Sequence, residues 1–217
     1  MNRVALSPAG VRLRLLALGA HCDDIEIGAG GTMLRLVNEH RDLDVRWVVF
    51  CSTPERAQEA RAAAAAFLEG VAGNVSVTVM DFRDGFLPYA GTAVKEAFEE
   101  IKSEFDPTMI LTHARDDRHQ DHRIVSDLTW NTWRDHLVLE YEVPKYDGDF
   151  GSPNVFFQLT AEELDRKVDL LVKHFPSQRT RQWFTRDLFQ AVARIRGMES
   201  AAPGGFAEGF TVRKLAV

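Results

Sequence analysis

The chain has 217 residues, 45% of them hydrophobic, which is enough for one sizeable core but cramped for two compact domains. A formal net charge of −6 disfavours general nucleic-acid binding, no apolar run approaches the roughly 20 residues of a membrane-spanning helix, and the start does not resemble a signal peptide. Only two cysteines are present, Cys22 and Cys51, so no disulfide framework is implied and we expect a soluble protein of the reducing cytoplasm.

Strands and helices alternate along the first two thirds of the chain, as the hydrophobic patterning predicts. The predicted strands are 11–20, 44–52, 75–82, 108–114 and 137–143, and the predicted helices are 32–40, 53–70, 92–105 and 121–133. The second helix has clear boundary signals, because Thr53 suits the N-cap, Pro54 the first turn and Gly70 the end. This order indicates an α/β fold, namely a Rossmann-like, three-layer α/β/α arrangement with a mostly parallel sheet.

The last third of the chain has a different texture. After a loop rich in glycine and aspartate, we predict a short strand at 155–160, helices at 161–175 and 186–197, and a final strand at 209–217. No linker rich in Gly, Ser or Pro marks a boundary, and there is no internal repeat. We therefore expect a single domain over residues 1–217.

Polar side chains follow the first predicted strand, where His21, Asp23, Asp24 and Glu26 precede the glycine-rich stretch 28–31. A dinucleotide-binding turn is a poor explanation, because seven residues separate the strand from the glycines and the third small residue of the pattern is missing. Capping of the following helix would account for only one of the three carboxylates. Three carboxylates within four positions repel one another unless a cation or a proton lies between them.

A second cluster, "HARDDRHQDH" at residues 113–122, leaves the fourth predicted strand. It is about a hundred residues from the first cluster, but the ends of parallel strands meet at one edge of a sheet. Two histidines and one carboxylate, with one position open for water, are a common ligand set for catalytic zinc. The two clusters together therefore indicate a metal site.

Both clusters resemble known sequence motifs. "AHCDDIEIGAGGT" is similar to the AHPDDxxxGxGG signature of the PIG-L/LmbE-like deacetylases, and "DRHQDHRIV" is similar to their second motif, H-x-D-H preceded by Asp. Weaker similarity extends over "PERAQEARAAAAAFL", "DFRDGFL", "HFPSQ" and "RGMES…GFAEGF". One departure is Cys22, which stands where the family usually has proline. Neighbouring side chains of an extended segment point in opposite directions, so we expect Cys22 to face away from the metal.

The resemblance implies a metal site formed by His21, Asp24 and His122. Two neutral imidazoles and one carboxylate leave a divalent cation with net positive charge, which acidifies a bound water. The expected cofactor is Zn²⁺, although such a ligand set also accepts Fe²⁺ or another divalent metal.

The resemblance also implies three catalytic residues. Asp23 corresponds to the general base that removes a proton from water. His119 corresponds to the group that stabilises the oxyanion as an imidazolium and helps to protonate the leaving amine. Asp121 would orient His119 and raise its pKa by favouring the charged form.

Arg56 and Asp84 lie after the second and third predicted strands, where the family has groups that bind sugar hydroxyls. Alternatively, Arg56 is an exposed charged residue on a helix, and Asp84 is an aspartate that forms part of a turn. His113, Asp116 and Asp117 either line the pocket or shape the loop, and support of the site is the preferred interpretation. Glu26 could accept a hydrogen bond from a backbone amide.

The leading hypothesis is a zinc-dependent hydrolase that removes an N-acetyl or similar N-acyl group from an amino sugar or glycoconjugate. Its partners would be an N-acetylated small molecule or glycoconjugate and, in a homo-oligomer, further copies of the chain. The alternatives are a non-catalytic sugar- or metal-binding relative and a nucleotide-dependent enzyme that uses the Rossmann-like sheet.

Overall fold

The protein is described by a computed structural model for residues 12–40 and 42–215. These residues form a sheet and six α-helices. The strands are β1 (Arg14–Gly19), β2 (Asp44–Cys51), β3 (Val75–Phe82), β4 (Met109–His113), β5 (Leu137–Tyr141), β6 (Val155–Leu159) and β7 (Phe206–Thr211). The helices are α1 (Asp24–Glu39), α2 (Pro54–Phe67), α3 (Gly91–Glu104), α4 (Gln120–Thr132), α5 (Ala161–His174) and α6 (Arg186–Glu199).

The strands form one mixed sheet in the order β3-β2-β1-β4-β5-β7-β6. The pairs among β1 to β5 are parallel, whereas β7 is antiparallel to both β5 and β6. The predicted Rossmann-like α/β fold with a mostly parallel sheet is confirmed. Strand order reverses between β1 and β4, and in such sheets a crevice opens at this switch point, outside the carboxyl ends of the strands.

Two apolar clusters lie on the two faces of the sheet. Along β1, Leu15 and Ala17 belong to the cluster that packs under α1, α2, α5 and α6. Leu16 and Leu18 belong to the cluster that packs under α3 and α4. This alternation explains the continuous apolar run of the strand, because a parallel strand covered on both faces buries every side chain.

Helix α1 begins at Asp24, eight residues before the start that the sequence predicts, so the glycine-rich stretch 28–31 is helical. Glycine occupies these helical positions because the neighbouring side chains leave no room for a Cβ atom. A Cβ on Gly28 would be 2.3 Å from the ring of Tyr141, and one on Gly31 would be 2.5 Å from Leu159. Close packing against the sheet outweighs the poor helix propensity of glycine, which is about 1 kcal/mol per residue.

A buried ion pair holds the middle of α1 against the sheet. The Lys167 ammonium donates to the Ile27 carbonyl and to the Glu208 carboxylate, each at 2.6 Å. Glu208 in turn accepts hydrogen bonds from the backbone amides of Gly31 and Thr32 at 2.8 and 2.7 Å. These contacts fix the helix whose first turn enters the candidate site.

The ends of the chain differ from the sequence-based prediction. The final strand is Phe206–Thr211 rather than 209–217, and it pairs between β5 and β6. Residues 11, 216 and 217 of the predicted strands lie outside the described residues. Along residues 12–40 and 42–215, we find no helix with the length and apolar character required to span a membrane.

Candidate active site

The two polar clusters meet at the switch point of the sheet. β1 leads into His21 and the first turn of α1, and β4 leads through a short loop into α4, which contains His122. β1 and β4 are adjacent and parallel, so both segments leave the sheet at the same edge. The expectation that the two clusters converge is therefore confirmed.

Three side chains form a compact set of metal-ligand atoms. Nδ1 of His21 lies 3.2 Å from Oδ2 of Asp24 and 3.1 Å from Nε2 of His122, and the last two atoms are 3.4 Å apart. A tetrahedral ion with bonds of 2.0–2.1 Å separates its ligands by about 3.3 Å. The spacing of these three atoms fits a small divalent cation.

The protonation states also suit a metal. Burial opposes the charge of Asp24, but the neighbouring imidazoles, led by His122, lower its pKa well below the usual value. Burial lowers the pKa of His122 to about 4, so this ring is neutral near pH 7. Burial also disfavours the charge on His21, but Asp24 and hydrogen bonds to carboxylates raise its pKa well above 6.5. The His21 imidazolium would therefore have to lose its proton when a cation binds, and the cation would take over its positive charge.

The second nitrogen of each of these histidines faces a carboxylate. Nδ1 of His122 donates to Oδ2 of Asp117 at 2.9 Å. Nε2 of His21 lies 3.1 Å from Oδ1 of Asp84 and 3.2 Å from Oδ2 of Asp121. Such partners fix the ring and its tautomer, so the nitrogens left to bind a metal are Nδ1 of His21 and Nε2 of His122.

Other groups near these atoms are less suited to a metal. His119 comes close to both His21 and His122, and Cys51 lies close to His21. Burial raises the pKa of the Cys51 thiol to about 12, so the thiolate that binds metals is scarce. Nε2 of His113 lies near Asp24 but accepts a hydrogen bond from the Ala20 amide at 2.9 Å. Its lone pair is thus already used.

Asp23 precedes α1, and its two carboxylate oxygens have different surroundings. Oδ1 forms an ion pair with Nη2 of Arg56 at 2.8 Å. Oδ2 is buried and has no hydrogen-bond partner among the residues that the structure describes. Burial raises the pKa of Asp23 to about 6, against the opposing effect of Arg56. One oxygen is thus held in place and the other is free to take a proton.

The Asp121 backbone amide contacts the ring of His119, whereas the Asp121 carboxylate contacts His21 and the loop after β3. Its Oδ2 contacts His21 and accepts a hydrogen bond from the Gly85 amide at 2.6 Å, and its Oδ1 accepts one from the Leu87 amide at 3.1 Å. The carboxylate therefore joins the loop after β3 to a metal-ligand candidate. A contact between residues 36 positions apart leaves no local sequence signal.

His119 is the N-cap of α4, where its Nδ1 accepts a hydrogen bond from the Asp121 amide at 3.2 Å. Nε2 must then carry the proton of the neutral ring. Burial and the adjacent His21 lower the pKa of His119, although Asp121 acts in the opposite direction. Burial and His21 outweigh the effect of Asp121 on this pKa, and the neutral ring is favoured near pH 7.

Arg56 and Asp84 lie at different depths in the site. The Arg56 side chain is only 16% exposed and also pairs with Glu59 at 2.7 Å, so it is not an exposed helix charge. Asp84 lies in the turn after β3, and its side chain is 78% exposed although Oδ1 contacts His21. Asp84 is therefore a turn aspartate that also contacts the candidate site.

Several residues around the site lack a strong sequence signal. Lys145, after β5, donates to Asp117 at 2.8 Å, and Asp117 also accepts a hydrogen bond from Nδ1 of His122. Ser177, in "HFPSQ", donates a hydrogen bond to Glu59. The sequence signal for this group of contacts is the spacing of Arg56 and Glu59, because side chains three residues apart on a helix are neighbours. Asp116 is exposed and pairs with Arg213.

Glu26 and Cys22 lie in the buried first part of the motif. Both carboxyl oxygens of Glu26 lack a hydrogen-bond partner within the described part of the chain, so the expected backbone hydrogen bond is absent. Burial raises the pKa of Glu26 well above its usual value. The Cys22 thiol donates to the Cys51 carbonyl at 3.3 Å, and Cys22 belongs to none of the groups of metal-ligand atoms found among the described residues.

Comparison with known proteins identifies the family to which the chain belongs. The PIG-L family model, described as GlcNAc-PI de-N-acetylase, matches residues 16–133, which are more than half of the chain. The matched region contains both polar clusters. The chain belongs to the PIG-L family. The Escherichia coli K12 protein YaiS, named as an uncharacterised deacetylase, is 28% identical over 184 residues, which cover 80% of this chain and 97% of YaiS.

Solved structures share the fold. The N,N'-diacetylchitobiose deacetylase of Pyrococcus horikoshii matches with a TM-score of 0.71 and 18% identity, over 92% of this chain and 83% of its own. GalB of Pseudomonas putida KT2440, a 4-carboxy-2-hydroxymuconate hydratase, matches with a TM-score of 0.73 and 17% identity, over 94% and 98% of the two chains. The fold therefore occurs in proteins named for different reactions, and function must be argued from the site.

Proposed function

We propose that this protein is a metal-dependent N-deacetylase that hydrolyses the acetamido group of an amino sugar or glycoconjugate. The observation that carries the proposal is the set of three candidate ligand atoms, within 3.4 Å of one another, beside a buried aspartate with one oxygen that has no partner among residues 12–40 and 42–215. Membership of the PIG-L family supports this choice of reaction. We further propose that residues 1–217 act as one domain, in the cytoplasm.

In this proposal, His21, Asp24 and His122 hold Zn²⁺, or Fe²⁺ or another divalent ion. When bound, the ion polarises the amide carbonyl and lowers the pKa of a bound water. The carboxylates of Asp117 and Asp121 keep the two histidines oriented toward it. Asp121 would thus support catalysis as a positioning residue for His21.

Asp23 acts as the general base. Its Oδ2 takes one proton from water while the water oxygen forms a bond to the amide carbon. The same proton then passes to the amide nitrogen as the C–N bond breaks, which gives acetate and a free amine. A pKa of about 6 suits both steps, because the group is mostly ionised near neutral pH yet returns the proton readily.

His119 stabilises the charge that develops on the carbonyl oxygen. Its Nδ1 is occupied by the Asp121 amide, so Nε2–H is the available donor. A neutral imidazole donates this hydrogen bond without an imidazolium, which agrees with the lowered pKa of His119.

Asp84 is the proposed contact for the substrate. Its side chain is exposed at the edge of the site, so one oxygen can accept a hydrogen bond from a sugar hydroxyl while the other contacts His21. Arg56 was expected to share this role, but most of its hydrogen-bonding groups are used within the protein.

Acetate release tests the proposed function. Purified protein, loaded with Zn²⁺ or with Fe²⁺ under anaerobic conditions, is incubated with N-acetylated sugars, chito-oligomers and N-acetylated metabolites. We expect acetate from at least one sugar, no release after chelation, and a large loss in Asp23→Asn. Asp165→Asn, an exposed aspartate on α5, serves as the matched control. Stoichiometric bound metal without turnover of any amide would contradict the proposal and would favour a non-catalytic binding protein or another reaction of this fold.

A further inference from the structure

We propose that Arg56 is a positioning residue for Asp23, and that Glu59 and Ser177 hold Arg56 in place. This inference rests on the proposed function insofar as Asp23 is the base. It gives Arg56 a role other than sugar binding, and it gives the "HFPSQ" segment a role in the reaction.

The first contact is between the guanidinium and the base. Nη2 of Arg56 lies 2.8 Å from Oδ1 of Asp23, and both side chains are largely buried, 16% and 8% exposed. Asp23 precedes α1, but its side chain caps no backbone amide of that helix. Arg56 is therefore the group that fixes the carboxylate and leaves Oδ2 free.

The second set of contacts fixes the guanidinium. Nη1 of Arg56 lies 2.7 Å from Oε2 of Glu59 and 3.2 Å from Oγ of Ser177. Glu59 accepts two hydrogen bonds from Ser177, from its amide at 2.9 Å and from its hydroxyl at 2.7 Å. The guanidinium also lies over the ring of Phe175, 5.1 Å from the centroid. The Arg56 side chain thus contacts residues of three segments, which are the start of α1, α2 and the segment after α5.

This arrangement favours positioning over substrate binding. A substrate-binding arginine presents its guanidinium to solvent, whereas here both Nη atoms already bind protein groups and one side is covered by a ring. The negative charge of Asp24, next in sequence, repels the Asp23 carboxylate. Removal of Arg56 would let the carboxylate turn away, and a displacement of about 1 Å at a reacting group can lower a rate by about 10²-fold.

Steady-state kinetics separates the two roles. With Arg56→Gln we expect kcat to fall by about 10²-fold, with KM within about 2-fold of the wild-type value and metal content unchanged. Arg56→Lys should recover part of kcat, because an ammonium keeps the charge but not the two-pronged contact. Ser177→Ala should lower kcat less, again without a change in KM. Arg61→Gln, an exposed arginine on the same helix, is the matched control. A raised KM with normal kcat in Arg56→Gln would overturn the proposal.

Unfolding measurements test the contact without any need for activity. Asp23→Asn, Arg56→Gln and the double variant form a cycle of midpoints in urea. We expect non-additive shifts, because the first substitution already removes the ion pair; additive shifts would overturn the proposal. A wild-type protein without turnover would contradict the proposed function alone, and this cycle would still decide whether Arg56 holds Asp23.

Discussion

The carboxylate of Asp117 lies 2.9 Å from Nδ1 of His122, on the opposite side of the ring from the nitrogen that faces His21 and Asp24. Lys145 donates to the same carboxylate at 2.8 Å. Burial opposes the charge of Asp117, but His122 and Lys145 lower its pKa below the usual range. A buried, ionised partner of this kind sets the orientation of the His122 ring, which we propose to be a metal ligand.

Asp117→Asn should therefore weaken metal binding by roughly 10–100-fold, the usual effect of losing such a partner. The adjacent Asp116 is exposed and pairs with Arg213, so Asp116→Asn should leave the affinity unchanged. Competition with a chromophoric chelator measures both dissociation constants. Equal affinities in the two variants would show that Asp117 does not support the metal.

Asp121→Asn distinguishes the sequence-based role of this residue from its observed contacts. Because the carboxylate contacts His21 and not the ring of His119, we expect metal affinity to fall, also by roughly 10–100-fold. If Asp121 instead acted through His119, kcat would fall while the metal dissociation constant stayed the same. The same chelator competition, with kinetics at saturating metal, separates these outcomes.

Gly28→Ala should destabilise the protein although alanine is the better helix former. The added methyl would lie 2.3 Å from the Tyr141 ring and 2.9 Å from the Glu142 carbonyl, and overpacking of this kind costs about 1–3 kcal/mol. Gly91→Ala is the control, because nothing lies within 4 Å of its added Cβ at the start of α3. That variant should be unchanged or more stable by up to about 1 kcal/mol. Urea denaturation measures both, and equal stability of the two variants would contradict the packing argument.

Lys167→Met should destabilise the fold strongly, because it leaves the buried Glu208 without a cation. Breaking a buried pair costs about 3–5 kcal/mol. The double variant Lys167→Met/Glu208→Gln removes both charges and should be more stable than the single variant. Lys173→Met, an exposed lysine on the same helix, should change stability by less than about 0.5 kcal/mol. A double variant less stable than Lys167→Met would contradict this interpretation.

Much of the fold follows from short-range sequence signals. Alternation of apolar runs with amphipathic segments predicts the parallel sheet, and the bounds of α2 and α5 are close to prediction because caps such as Thr53 and Thr160 act locally. The start of α1 could not be predicted in this way. Its first two turns contain Gly28, Gly30 and Gly31, and glycine is a poor helix former, so tertiary packing decides the conformation.

The same distinction holds for the candidate site. The meeting of the two polar clusters was predictable, because β1 and β4 end at one edge of the sheet, whereas the choice of His21, Asp24 and His122 rested on the family resemblance. The pairing of side chains was not predictable. Asp121 contacts the loop after β3 and Arg56 contacts Asp23, and both contacts depend on how distant segments are placed in three dimensions.

The central claim is that the adjacent carboxylates Asp23 and Asp24 have different functions, and metal analysis of two variants tests it most directly. Asp24→Ala removes a ligand, so metal content and activity should fall together. Asp23→Asn should retain nearly full metal content, while activity falls by the roughly 10²–10⁴-fold that a positioned base contributes. If Asp23→Asn loses its metal while Asp24→Ala keeps it, the assignment of base and ligand is reversed and the account is contradicted.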